Sequence, residues 1–264
     1  VSTVEILGTA QDAGVPHLGC RCDTCESARE GTRPTRYASA VLLEDAGRYL
    51  FDATPDVRFQ IPDVPDGVFL THAHLGHLAG LPYFGSESAD TDGLPVYATP
   101  GLGDVIRDND PLRSLVSDRH VDLRSITDGS AVHLESTSVT PIRVDHRESL
   151  STGTLAYRVD GPNRSLLYMT DVDSLTPRAE SLVRDVDVAL LDGTFWSGDE
   201  IDRVEDVPHP TVRSSMNALA DVDTEVRFTH LNHTNPLCDP ASDARAELES
   251  AGFRVAERGD TVEL

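Results

Sequence analysis

The chain has 264 residues, enough for one large α/β domain with a sizeable core, and its apolar residues, 39% of the total, are spread throughout, which excludes a disordered tail or a fibrous class. Its 45 acidic side chains against 22 basic ones give a formal charge of −23, and every basic one is Arg, since no Lys occurs. Such a polyanion is a poor partner for nucleic acid, no apolar run approaches the roughly 18 residues of a membrane span, and the first residues lack the basic start of a signal peptide, so the expectation is a cytoplasmic protein, its dispersed carboxylates suited to a high-salt cell.

In chain order, a β-rich run at 4–7 leads into a Gly-rich stretch that carries Cys20, Cys22 and Cys25. A disulfide between Cys20 and Cys22 would be badly strained, whereas three thiolates entering a short turn can point at one ion. Strands are predicted next at 38–43, 48–51, 68–71, 96–98, 132–134 and 139–144, then at 154–159, 165–169, 186–191, 226–229, 254–256 and 261–263. Helical periods fall at 75–86, 101–109, 174–185, 211–220 and 240–250, with starts signalled at Asp239-Pro240 and Pro210-Thr211 and a stop at Gly252. Two groups of strands with helices among them predict two sheets packed face to face under outer helices.

The strongest chemical signal is Thr71-His72-Ala-His74-Leu-Gly-His77, directly after an apolar strand. Imidazoles two residues apart on a turn can share one ion, while His77, on the first helical turn, aims elsewhere. His146, Asp171 and His230 each follow a predicted strand in the same manner. Taken singly, such a His is more often a satisfied core or surface group, and such an Asp a helix cap. Together with His72 they describe a metal cleft along one sheet edge.

These residues, in this order, resemble the marks of the metallo-β-lactamase superfamily: an Asp after an early strand (Asp52), a His-x-His-x-Asp-His turn (His72, His74, His77), a His (His146), a bridging Asp (Asp171) and a last His (His230). The resemblance implies a four-layer αββα sandwich of two mixed sheets over a single domain, 1–264. It further implies that His72, His74 and His146 hold one ion, that Asp171 bridges, that His77 and His230 serve a second, and that Asp52 supports the turn. One position departs. Gly76 stands where the family carries the Asp that ligates the second ion, so either that site is weak or another group fills it.

The segment from Gly8 to Cys25 is similar to the opening of the pyrroloquinoline-quinone biosynthesis B proteins and the phosphonate-pathway cyclic phosphodiesterases. That branch implies a structural zinc on Cys20, Cys22, Cys25 and His233. Segments around Asp192, Pro208-His209-Pro210 and His230 to Pro236 favour the quinone-biosynthesis group, although that group has lost the leading histidines kept here. A paralogue is therefore expected. Its active-site ion would be zinc, with manganese or iron as alternatives, in one or two copies, and Cys238 is an incidental buried thiol. The leading expectation is metal-assisted hydrolysis of an ester-like or phosphodiester-like bond in a small-molecule substrate, with Asp171 or His209 handling a proton. Its rivals are iron-dependent oxygenation in quinone-cofactor biosynthesis and a non-catalytic metal-containing binding protein. Classical β-lactamase and tRNA endonuclease activities rank low, and a homodimer is compatible with the sequence.

Overall fold

The computed structural model describes residues 1–147, 150, 152–202 and 207–264. Strands β1 (Thr3–Gly8), β2 (Ala40–Glu44), β3 (Arg48–Phe51), β4 (Gly67–Phe69), β5 (Leu94–Ala98), β6 (Val121–Ser125) and the last strand, β14 (Thr261–Glu263), form one sheet in the order β14-β1-β2-β3-β4-β5-β6. The second contains β7 (Val132–His133), β8 (Ser138–Val144), β9 (Thr154–Asp160), β10 (Ser165–Met169), β11 (Val188–Asp192), β12 (Glu225–Thr229) and β13 (Arg254–Val255), ordered β13-β12-β11-β10-β9-β8-β7.

Both faces of each sheet are apolar, because alternate side chains of one strand enter different cores. Leu166, Tyr168, Val188 and Leu190 point between the sheets, where they meet Ile6, Phe51, Phe69 and Tyr157. Their neighbours Leu167, Met169, Ala189 and Leu191 face outward onto α6 (Pro177–Arg184), α7 (Val212–Ala218) and α8 (Asp243–Ser250) through Val183, Met216 and Leu248. On the other sheet Leu42, Leu50 and Val68 meet Val57, Leu78, Leu102 and Leu115, which lie on α2 (Val57–Gln60), α3 (Leu75–Leu78), α4 (Pro100–Asp108) and α5 (Leu112–Ser117). The result is the expected αββα sandwich. No helix among the described residues is long and apolar enough to cross a membrane.

Strand direction sets where the chemistry gathers. β1 and β2 are antiparallel, as are β2 and β3, and β3 runs parallel to β4, so β1, β3 and β4 share a direction. In the second sheet β10, β11 and β12 are parallel, and β8 joins them through two antiparallel steps across β9. The carboxyl ends of these strands meet at one edge. The two sheets are tied there by a parallel bridge between Ala10, just past β1, and Leu231, just past β12.

Several sequence expectations are corrected. The helix over 75–86 is two pieces, α3 and a 3-10 turn Leu81–Phe84, because Gly80 lies where a Cβ would sit 2.1 Å from the Thr54 carbonyl oxygen and Pro82 follows. Helix α8 starts later than Asp239-Pro240, since Ser242 accepts from the Arg245 amide and is its cap. Thr211 caps α7 as expected. Helices α1 (Asp23–Arg29), α2 and α5 and strand β6 were not anticipated, the helices being short and weakly periodic.

Candidate metal centre

The turn after β4 presents His72 Nε2 and His74 Nδ1 2.9 Å apart, and His146 Nε2, arriving from the end of β8, stands 3.4 Å from His74 Nδ1. Asp171, past β10, places Oδ1 4.0 Å from His72 Nε2 and 3.7 Å from His146 Nε2. Its other oxygen, Oδ2, lies 3.4 Å from His77 Nε2 and 3.5 Å from His230 Nε2. Two ligand sets therefore share one carboxylate. Four donors about 2.0–2.2 Å from a tetrahedral ion stand roughly 3.3–3.6 Å from one another; the Asp171 Oδ2 separations of 3.4 and 3.5 Å fall in that range and the first set's, from 2.9 to 4.0 Å, bracket it. The buried atoms Asp171 Oδ2, His77 Nε2 and His230 Nε2 have no hydrogen-bond partner, although they face each other. Buried polar atoms left so are costly unless something else satisfies them, and this donor set fits a cation.

Four of the imidazoles, those of His72, His77, His209 and His230, are turned toward the cleft by a partner on the far nitrogen. Asp52, fully buried and held at φ 68°, accepts from the Thr71 amide at 2.8 Å, the Thr71 hydroxyl at 3.0 Å and His77 Nδ1 at 2.7 Å. A carboxylate only accepts, so His77 Nδ1 donates and its Nε2 is left for the cleft. Since the Thr71 hydroxyl donates to Asp52, its oxygen accepts from His72 Nδ1 at 2.9 Å, which frees His72 Nε2 in turn. The second sheet repeats the device. The Thr194 hydroxyl donates to Asp192 at 2.8 Å and lies 3.0 Å from His230 Nδ1, while His209 Nδ1 donates to Asp192 at 2.6 Å. Each sheet thus supplies an Asp–Thr pair that orients two histidines.

Burial and neighbouring charges compete at these groups. Burial pushes His72 well below the ordinary histidine range, reinforced by the charge of His77, and it lowers His146 as well. Neutral imidazoles are what an ion needs. At His77, burial acts the same way but the carboxylates of Asp52, Asp171 and Asp12 override it and raise the group well above its usual value. Burial would raise Asp171; the imidazoles of His230, His77, His72 and His209 instead hold its carboxyl below the usual range. His209 is also buried, yet Asp192 lifts it to about 9.

A second cluster lies in the amino-terminal loop. Cys20 Sγ and Cys22 Sγ are each 3.5 Å from His233 Nδ1, and with Cys25 Sγ all four ligand atoms fall within 4.8 Å of one another. The Cys22 amide donates to Cys20 Sγ and the His17 amide to Cys25 Sγ, as amides commonly do toward thiolate ligands. Cys22 stands at the amino-terminal cap of α1 and Cys25 lies within that helix, buried. Cys238, buried with its thiol 3.5 Å from the Asn232 carbonyl, is apart from this set, as the sequence implies.

Every candidate ligand and catalytic residue therefore reaches one of two places: His72, His74, His77, His146, Asp171, His209 and His230 the cleft, and Cys20, Cys22, Cys25 and His233 the clip. Asp52 stands behind the turn. Sequence reasoning missed Asp12, whose Oδ1 is 3.2 Å from His77 Nε2 and 3.8 Å from His230 Nε2. It also missed the supporting roles of Thr71, Asp192 and Thr194. For the last pair the signal was present, in an Asp-x-Thr at the end of a buried strand beside the other metal-bearing strand ends.

Known proteins share this fold. The family described as the beta-lactamase superfamily domain matches residues 47–233. Coenzyme PQQ synthesis protein B of Methylorubrum extorquens is 28% identical over 307 residues, and that of Ruegeria pomeroyi 28% identical over 298, with 99% of both chains covered in each case. Among solved structures, zinc-bound PqqB from Methylobacterium extorquens matches with a TM-score of 0.84 at 25% identity, covering 99% of this chain and 100% of that one. A diphosphatase of the PhnP family has the same fold, with a TM-score of 0.75 at 24% identity over 100% of this chain and 97% of the other. The resemblance read from the cysteine and histidine segments is borne out, and the chain belongs to the beta-lactamase superfamily.

Proposed function

We propose that this chain is a metal-dependent hydrolase that opens an ester-like or phosphodiester-like bond of a small molecule, a paralogue of the PQQ synthesis B relatives with its own substrate. The observation that carries the reading is the convergence on Asp171 of two ligand sets, in the second of which the facing atoms Asp171 Oδ2, His77 Nε2 and His230 Nε2 lack hydrogen-bond partners. His72, His74 and His146 would hold one ion and His77 and His230 a second, with Asp171 between them; zinc suits this donor set, as do manganese and iron. When bound, such an ion supplies a water of pKa near 7 and a Lewis acid for the developing oxyanion. Asp52, Thr71, Asp192 and Thr194 keep His72, His77, His209 and His230 in the tautomers that leave Nε2 for the cleft. His209, protonated up to about pH 9 by its contact with Asp192, stands ready to give a proton to the leaving oxygen. Cys20, Cys22, Cys25 and His233 would form a closed structural zinc site, with no position for water.

The test is turnover of a panel of esters, lactones and phosphodiesters by metal-loaded protein. Activity that falls by about 10²- to 10⁴-fold in His209→Gln, with metal content kept, is expected. Absence of turnover on the whole panel, together with unchanged metal content in His72→Ala, contradicts the reading.

A second reading is supported by the full-length similarity to proteins named for coenzyme PQQ synthesis. It is iron-dependent oxygenation within quinone-cofactor biosynthesis, for which the same imidazole and carboxylate donors suffice. Oxygen uptake by the iron(II)-loaded protein would favour it; substrate turnover without oxygen excludes it.

A further inference from the structure

Gly76 removes a carboxylate from the histidine turn, yet the space it leaves is filled. A Cβ built on Gly76 would lie 2.3 Å from Asp12 Oδ1 and 2.6 Å from Asp12 Cα, closer than side chains pack. Asp12 belongs to the loop after β1. That loop is pinned beside the second ligand set by backbone bonds from Leu231 to Thr9 (2.8 Å) and from Gln11 to Leu231 (3.0 Å), one residue past His230. It then turns back on itself, the Gly14 amide donating to the Gln11 carbonyl at 2.8 Å, with Gly14 at φ +68°. Asp12 Oδ1 is buried without a hydrogen-bond partner, and it faces the equally unpartnered Nε2 atoms of His77 and His230, both side chains 1% exposed.

We propose that Asp12 supplies the carboxylate ligand of the second ion that the histidine turn lost at Gly76, so that the second set is Asp12, His77, His230 and Asp171. The ligand has moved between loops, and Gly76 is the accommodation that makes room for it. One carboxylate can occupy that volume, from either side. Only a Gly at 76 permits the approach from the amino-terminal loop.

The proposal rests on the cleft being a metal centre, though not on any reaction. Its test is metal content of the full-length protein after zinc loading and dialysis, with affinity read by chelator competition. The wild type is expected to hold three ions, one in the clip and two in the cleft, and Asp12→Asn to hold two. The affinity of the lost ion should fall by more than the roughly 10–100-fold that removal of an outer-shell partner costs. Retention of the clip ion and the first cleft ion shows that the variant is folded. Anomalous diffraction from the zinc-loaded wild type gives a direct reading without substitution: an ion within about 2.0–2.2 Å of an Asp12 oxygen. Unchanged second-ion affinity in Asp12→Asn, or a second ion beyond bonding distance of Asp12, overturns the proposal alone. A wild type with no cleft ion overturns both the proposal and the metal-centre reading.

Discussion

The two ligand sets of the cleft differ in how they are held before any ion arrives. In the first, His72 and His146 are crowded by other imidazoles and by burial, and they are poised neutral with their lone pairs available. In the second, His77 sits among Asp52, Asp171 and Asp12, and those charges keep a proton on it. The first set is therefore prepared for a cation. The second holds a proton in the place of one, and an ion must displace it. Sharing Asp171 couples the two: its charge favours cations on both sides.

Removing that shared group should have the largest effect. Asp171→Ala is expected to empty both sets and, by the several kcal/mol a metal supplies to the transition state, to lower kcat/KM on the order of a thousandfold or more, at 1.36 kcal/mol per tenfold. Elemental analysis beside kinetics checks it. Retention of both ions would show that Asp171 is not the link.

Gly76→Ala separates the two sets. Its Cβ would press on the Asp12 backbone, an overpacking that costs roughly 1–3 kcal/mol of stability and displaces the second carboxylate while His72, His74 and His146 stay in place. Melting temperature and metal content together report it; a variant as stable as the parent with both cleft ions would contradict the close approach.

Asp52→Asn and Asp192→Asn compare the two supporting pairs. Each is expected to weaken the second ion about 10–100-fold, since His77 depends on one and His230 on the other. The first ion should be affected by Asp52→Asn alone, through Thr71 and His72. Stepwise chelator titration distinguishes the patterns.

The smallest effect is with pH. His77 is raised, so protons compete with the second ion through the neutral range and its affinity grows as pH rises; His72 and His146 are lowered, so protons compete with the first ion only at more acid pH. On acidification the second ion should leave first, with release followed by elemental analysis. Simultaneous release would deny the difference in poise. For the metal-free fold, the His209–Asp192 contact is present in full below the ordinary histidine pKa of about 6.5 and is lost as pH rises through about 9. Melting of the metal-free protein should fall across that window, and His209→Gln should flatten the change.

The same two sets differ in how far they can be read from sequence. His72 and His74 are two residues apart on one turn, and His146 and Asp171 end strands in the same apolar-to-polar fashion, so local pattern announces the first set. The sheets follow as well, because alternation within strands such as β10 and β11 fills both faces. Asp12 and His77 are separated by a long stretch of chain, and no spacing rule joins them. Their contact depends on the bridge from Ala10 to Leu231 across two sheets and on the volume Gly76 leaves free, which are properties of the tertiary structure. Short helices such as α2 and α5 escaped for a related reason: one or two turns packed on a sheet owe their form to that contact rather than to a repeating pattern.

The most direct test of the central claim is anomalous diffraction recorded at the zinc, iron and manganese edges from crystals of the protein purified without chelators. The account predicts a peak among Cys20, Cys22, Cys25 and His233 and two more astride Asp171, one beside His72, His74 and His146 and the other beside Asp12, His77 and His230. A clip peak with no anomalous density on either side of Asp171 would contradict it.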